Sequence, residues 1–308
     1  MLLSAGVPSL LHSYQEVARS LPWFFPVFIA LMGACVGSFL NVVIYRVPAG
    51  RSVVRPGSAC ACGKPIAWHD NIPVLSWLWL RGRARCCGQK FSARYCAIEL
   101  LVALLFLSCW LLFPAGKAFC GWVFLSCLVA GAFIDVDHMI IPDVFTLGLA
   151  GVGLVLALFC PSLHHLNTGH IVIDNAHSLV VALQGLFVGS GIVLWFALVA
   201  ESVLKREAMG FGDVKLLGAI GVFCGWAGAA FALGAGAILG LIWVALSLLW
   251  KRATGKDSSL APTAQTAEGE AASLGMGVEI PFGPMLALAG GIYFLFARPY
   301  VEAFLPHF

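Results

Sequence analysis

The sequence predicts an all-α polytopic membrane protein, with about eight transmembrane helices and a small cytoplasmic domain between the first and second. Hydrophobic residues make up 60% of the chain and charged residues only 11%, against roughly 45–50% and 25% in an ordinary soluble domain. Apolar stretches of the ~20 residues that a span requires recur along its whole length. Lysine and arginine gather in alternate loops, as they do when one side of a membrane retains them.

Taken in order, the spans fall at about 22–44, 96–114, 118–135, 144–163, 178–200, 214–230, 231–250 and 281–298. The sixth and seventh come from one run without a charged residue from Leu216 to Trp250, divided at Gly225-Trp-Ala-Gly228. With the N-terminus outside, fifteen of the 18 basic residues lie on the cytoplasmic side, and only Arg19, Lys117 and Arg298 lie opposite. The net charge of +3 is therefore explained by topology, and no nucleic-acid partner is expected. The first 21 residues lack the basic region, apolar core and small-residue cleavage site of a secretory signal, so the first span is expected to be retained.

The chain divides on this reading into an N-terminal segment with the first span (1–45), a cytoplasmic basic domain (46–95) and a membrane-embedded domain (96–308). Residues 46–94 hold nine Lys or Arg against one acid, Asp70, together with Cys60, Cys62, Cys86 and Cys87. The loop at 251–279 is rich in Ala, Ser, Thr and Gly between 256 and 275 and is expected to be disordered. Residues 161–177 carry His164, His165, His170 and His177, at spacings that enforce no ligand cluster, and read as a solvated loop.

Ionisable groups in or beside spans are costly and mark function by default. Glu99, Asp135, Asp137, Asp143, Asp213 and Glu201 are the acids to weigh. Glu99 reads as a headgroup-level residue, and Glu201 has Lys205 one turn on. Asp143 follows Pro142, a residue suited to the first helical turn. Asp137 and His138 lie further toward solvent. Asp213 stands at a helix start, where an anion is favoured, directly after the glycines Gly210 and Gly212. Asp135 closes a helix, where exposed carbonyls disfavour it. That contrast makes Asp213 the first base toward water and Asp135 the acid. Both belong to the same membrane face, and paired carboxylates that share a proton are the machinery of aspartic proteolysis.

FIDVDHMIIPD (133–143) followed by GFGDVKLLGAIG (210–221) resembles the paired motifs of the type IV prepilin peptidases, membrane aspartic proteases of the GxGD class. GSFLNVVIYRVP (37–48), DNIPVLSWLWLRGR (70–83), SARY (92–95) with Glu99, and IPFGPMLALAGG (280–291) look like further segments in the family order. The resemblance implies an inner-membrane enzyme whose active site faces the cytoplasm. It would cleave leader peptides from type IV prepilins or type II secretion pseudopilins, then N-methylate the new N-terminal residue from S-adenosylmethionine. Asp135 and Asp213 take the catalytic positions, with Gly210 and Gly212 leaving room for substrate. The family often carries two CxxC pairs; here Cys60 and Cys62 are one residue closer and Cys86 and Cys87 are adjacent. A structural zinc on these four would require a turn between the last two.

Residues 67–83 place Trp68, Trp77 and Trp79 near Arg81 and Arg83. They read as an interfacial anchor against membrane lipid, with the docking floor for a prepilin helix as the sharper alternative. Two other functions compete with the enzyme: a transporter relaying protons through its carboxylates, and a noncatalytic pilus assembly factor. The acids cluster at one face and leave the span interiors empty, against the first, and the intact aspartate pair argues against the second.

Overall fold

The computed structural model describes residues 16–17, 19–60, 62–166, 168–204, 210–254 and 281–304. Most of the expected disordered loop, and Lys205, lie outside them. Among the described residues the fold is helical, with two isolated β-bridges and no strand. Six helices are long and apolar enough to cross a membrane, and a shorter apolar segment covers Asp143–Phe159. The chain divides into two compact units, residues 1–46 with 50–122, and residues 47–49 with 123–308.

The first unit is built on α1 (Phe24–Arg46) and α3 (Ala93–Leu112). Gly33 and Gly37 on α1 leave room for Ala103 and Phe106, and for the Glu99 backbone, of α3. Asn41 donates its amide to the Tyr95 carbonyl at 3.1 Å. Ser92 caps α3 by accepting from the Arg94 N–H, the usual service of a serine at that position. Between the two helices lie the cysteine segment and a short helix, α2 (Leu75–Leu80). Arg46, in the last turn of α1, donates to the carbonyls of Ser52, Pro56 and Gly57, which folds the following loop back onto the helix end.

α4 (Ala115–His138) leads into the second unit, followed by α5 (Leu147–Phe159), α6 (Ile171–Leu204), α7 (Phe211–Thr254) and α8 (Gly283–Ile292). α8 continues through a π-helical turn into α9 (Arg298–Phe304). α6 and α7 meet backbone to backbone at Gly185 and Gly221, where any Cβ would collide with the facing carbonyl.

α7 is two helices joined at Gly225 (φ 72°, ψ 178°), a conformation reserved for glycine. Gly236 packs on Leu286 and Ile220 on Gly290, positions one turn apart on α8. A straight helix would separate 220 from 236 by about 24 Å. The chain therefore folds back at the first glycine of Gly-Trp-Ala-Gly, and the split expected there is present. With α7 counted as two arms and the short 143–159 segment included, eight apolar helical segments stand where eight spans were expected.

The 161–177 segment departs from the solvated loop that its polarity suggests. α6 already begins at Ile171, and His164 is buried, its ring nitrogens meeting the Ser178 hydroxyl at 2.8 Å and the Val222 carbonyl at 3.1 Å. Asp174 accepts from the Thr168 N–H and hydroxyl. These polar side chains fold inward because each finds a local partner, which offsets the cost of burial.

Candidate active site

The site is built at one end of the second unit, where α4 ends and α7 and α8 begin. α4 continues to His138, one turn beyond its expected end, and the Met139 N–H bonds the Asp135 carbonyl at 2.9 Å. Asp135 is buried, and its Oδ2 accepts the N–H of Gly283 at 3.1 Å. That N–H opens α8, so the carboxylate of Asp135 meets the positive end of a second helix. The reading of Asp135 as an acid without structural support is thereby corrected: its partner comes from 148 residues away.

Asp213 lies in the first turn of α7, half-buried, with its N–H on the Gly210 carbonyl at 3.1 Å. Each acid thus stands at a helix N-terminus. Asp135 nevertheless stays in the last turn of its own helix, three residues from its end, so the contrast of helix ends that made Asp135 the acid and Asp213 the base is weakened by the Gly283 contact rather than removed.

The glycines divide their roles differently from the expectation. A Cβ at Gly210 or Gly212 would come no closer than 3.6 Å to any atom, an ordinary contact. A Cβ at Gly283 would lie 2.6 Å from Asp135 Oδ2 and 2.7 Å from Ile141 Cδ1. Of the three, Gly283 is the one where a side chain would displace the Asp135 carboxylate or Ile141. A Cβ added at Gly131 or Gly212 would also lie 3.6 Å from Ile141, which is wedged among glycines from three helices. Beside it, Lys215 pairs with Asp143 at 2.6 Å, tying the first turn of α7 to the segment that follows α4. Asp143 occupies a 3-10 turn, Asp143–Phe145, ahead of α5. Gly283, Ile141 and Lys215 were not singled out by the sequence reading; for Gly283 the one signal was a Phe-Gly-Pro start to an apolar run.

Among the remaining acids, Asp137 is exposed near the end of α4, as expected. Glu99 is not the bland headgroup residue that was expected. It is buried, and its Oε2 accepts the Val74 N–H at 2.7 Å.

The four cysteines converge in the first unit. The Gly63 N–H, next to Cys62, bonds the Cys60 carbonyl, and Cys86 and Cys87 sit in a turn closed by Gly88 N–H to the Ala84 carbonyl. This supplies the turn that adjacent cysteines require. All four sulfurs lie within 4.8 Å of one another, with Cys60–Cys87 at 3.5 Å and Cys62–Cys86 at 3.4 Å. A tetrahedron with Zn–S bonds of about 2.3 Å has edges of about 3.8 Å, so the donor set fits one zinc. The Cys62 backbone and the Cys86 and Cys87 thiols hold the Cys60 thiol down to about 7, whereas hydrogen bonds to Cys60 and Cys62 push Cys86 up to about 12. The cluster shares its protons, and a metal would displace them.

The apolar helices define a polytopic membrane protein, with Asp135 and Asp213 at the end where α4 stops and α7 and α8 start. Residues 122–245 match the model of the type IV leader peptidase family, and residues 31–113 match that of the bacterial Peptidase A24 N-terminal domain. A prepilin leader peptidase/N-methyltransferase of Aeromonas hydrophila is 33% identical over 95% of this chain and 98% of its own length. One from Klebsiella pneumoniae is 38% identical over 68% and 90%. One from Myxococcus xanthus is 41% identical over 67% of this chain, and the alignment spans 59% of that relative. The chain belongs to the type IV leader peptidase family. No solved structure is a significant match.

Proposed function

We propose that this protein is an aspartic endopeptidase of the inner membrane. It removes leader peptides from type IV prepilins or type II secretion pseudopilins at the cytoplasmic face, and N-methylates the residue exposed. The observation that carries the reading is the burial of Asp135 on the Gly283 N–H, with Ile141 packed both against Gly283 and against Gly212, the neighbour of Asp213. Fifteen basic residues on the side that holds this end support the cytoplasmic orientation.

The pair works with a single shared proton. One carboxylate takes a proton from water, whose oxygen attacks the scissile carbonyl, while the protonated partner donates to the carbonyl oxygen. Collapse of the tetrahedral intermediate passes a proton to the departing amine and breaks the C–N bond. The Gly283 N–H fixes the Asp135 carboxylate for this work. Gly210 and Gly212, which carry no side chains, allow an extended substrate backbone to approach closely.

A cavity of about 370 Å³ in the first unit is lined by Ser38, Phe39, Arg46, Ser58, Asn71 and Pro73, within the size range of small-ligand sites. Its lining carries no carboxylate to meet the cationic groups of S-adenosylmethionine, and the methyl donor, which supplies an electrophilic methyl group when bound, is proposed from the family alone. Cys60, Cys62, Cys86 and Cys87 would hold a structural zinc. Purified protein incubated with a prepilin peptide and methyl donor should release the leader and add one methyl group to the mature N-terminus by mass spectrometry. An intact peptide would refute the reading.

A further inference from the structure

The cysteine-bearing segment of the first unit carries an apolar face that no described element covers. Trp79 and Trp68 are 83% and 81% exposed, Leu75 and Leu78 57% and 56%, with Ile72 and Ile66 beside them at 38% each. Side chains of this size are seldom left to water in one cluster.

We infer that Trp68, Leu75, Leu78 and Trp79 insert into the bilayer leaflet at the Arg46 end of α1, seating α2 as an interfacial helix. Three observations select lipid as the occupant. The segment is spliced at both ends to spans, leaving α1 at Arg46 and returning at Ala93. It is also hooked to a span part-way along. Val74, the residue before α2, donates its N–H to Glu99, which lies in the second turn of α3 and about 9 Å from its start. α2 is therefore held beside the body of a membrane helix, at interfacial depth. Third, the face has the chemistry of that depth: indole rings suit the headgroup layer. Arg81 and Arg83 follow α2 directly and are exposed, placed to meet anionic phosphates with their stems along the apolar surface. The segment's lone acid does not oppose this, because Asp70 is bound to the Arg85 guanidinium at 2.8–3.1 Å.

This inference needs the spans but not the peptidase activity. The full chain would be placed in nanodiscs of phosphatidylcholine with phosphatidylglycerol, with bromine near either the headgroup end or the methyl end of the acyl chain. The fluorescence of Trp68 and Trp79 is the difference between the wild type and the Trp68→Phe and Trp79→Phe variants, each checked for prepilin cleavage as a measure of folding. Headgroup-end bromine should remove about half of that difference signal, and methyl-end bromine clearly less, as for rings at the interface. A difference signal that brominated lipid leaves intact overturns the inference. If the signal is then quenched by aqueous iodide, the face is open to water. If it becomes protected from iodide only on adding a prepilin peptide, the face is a substrate floor. As a check independent of fluorescence, Leu78→Lys should weaken dodecylmaltoside-resistant retention of native lipid beside this segment; retention equal to wild type counts against lipid docking.

Discussion

Gly283 carries the sharpest consequence at the scale of single residues, because its backbone N–H fixes Asp135 and its missing side chain leaves room for that carboxylate. Gly283→Ala should therefore lower kcat by about a hundredfold, the order that ångström-scale misplacement of a catalytic group costs, with little effect on protein abundance in the membrane. A rate within threefold or so of wild type would mean that the contact does not position the pair. The cysteines offer a second test. If they hold zinc, elemental analysis should find about one ion per chain, and Cys62→Ser should release it and loosen the segment between α1 and α3. Asp70 gives a pH test. Hydrogen bonds from Arg85 hold its carboxyl below the ordinary carboxylate range. Its folded value is thus depressed, so its contribution to stability is present above the unfolded value and fades as pH falls through the folded one. Melting curves of wild type and Asp70→Asn should differ at neutral pH and converge on acidification; a constant gap would show that the charge is not responsible.

Among elements, the junction of α4, α7 and α8 is held by Ile141 among three glycines and by the Lys215–Asp143 pair. Asp143 is largely exposed, so the pair should contribute only about 0.2–1 kcal/mol. Lys215→Met and Asp143→Asn should each lower kcat a few-fold with KM nearly unchanged, and the double variant should be no worse than either single one. Additive losses would mean that the two residues act separately. This junction also marks the limit of what the sequence reveals. The fold-back at Gly225 was legible because a run free of charge from Leu216 to Trp250 is too long for one crossing. Both aspartates were legible because ionised groups beside apolar runs demand a reason. The partner of Asp135 was not, since no periodicity links positions 135 and 283. For the same reason the dipole argument is weakened: α4 runs on to His138, and the helix that answers Asp135 is distant in sequence. His164 misled in the opposite sense, because a polar side chain signals burial only once its partners are known.

For the whole molecule, the distribution of basic residues predicts topology. A reporter fused within 256–275 should be cytoplasmic and one within 164–176 periplasmic. Reversed signals would invert the arrangement and put the aspartates on the wrong side of the membrane for the proposed substrates. The central claim is that Asp135 and Asp213 together perform the cleavage, and a single assay addresses it. Wild type, Asp135→Asn and Asp213→Asn would be purified, matched for helix content and melting behaviour, and given the same prepilin peptide, with products read by mass spectrometry. Wild type should release the leader, and neither variant should do so, because an amide cannot exchange the shared proton. Substantial cleavage by either folded variant would remove that residue from the catalytic pair.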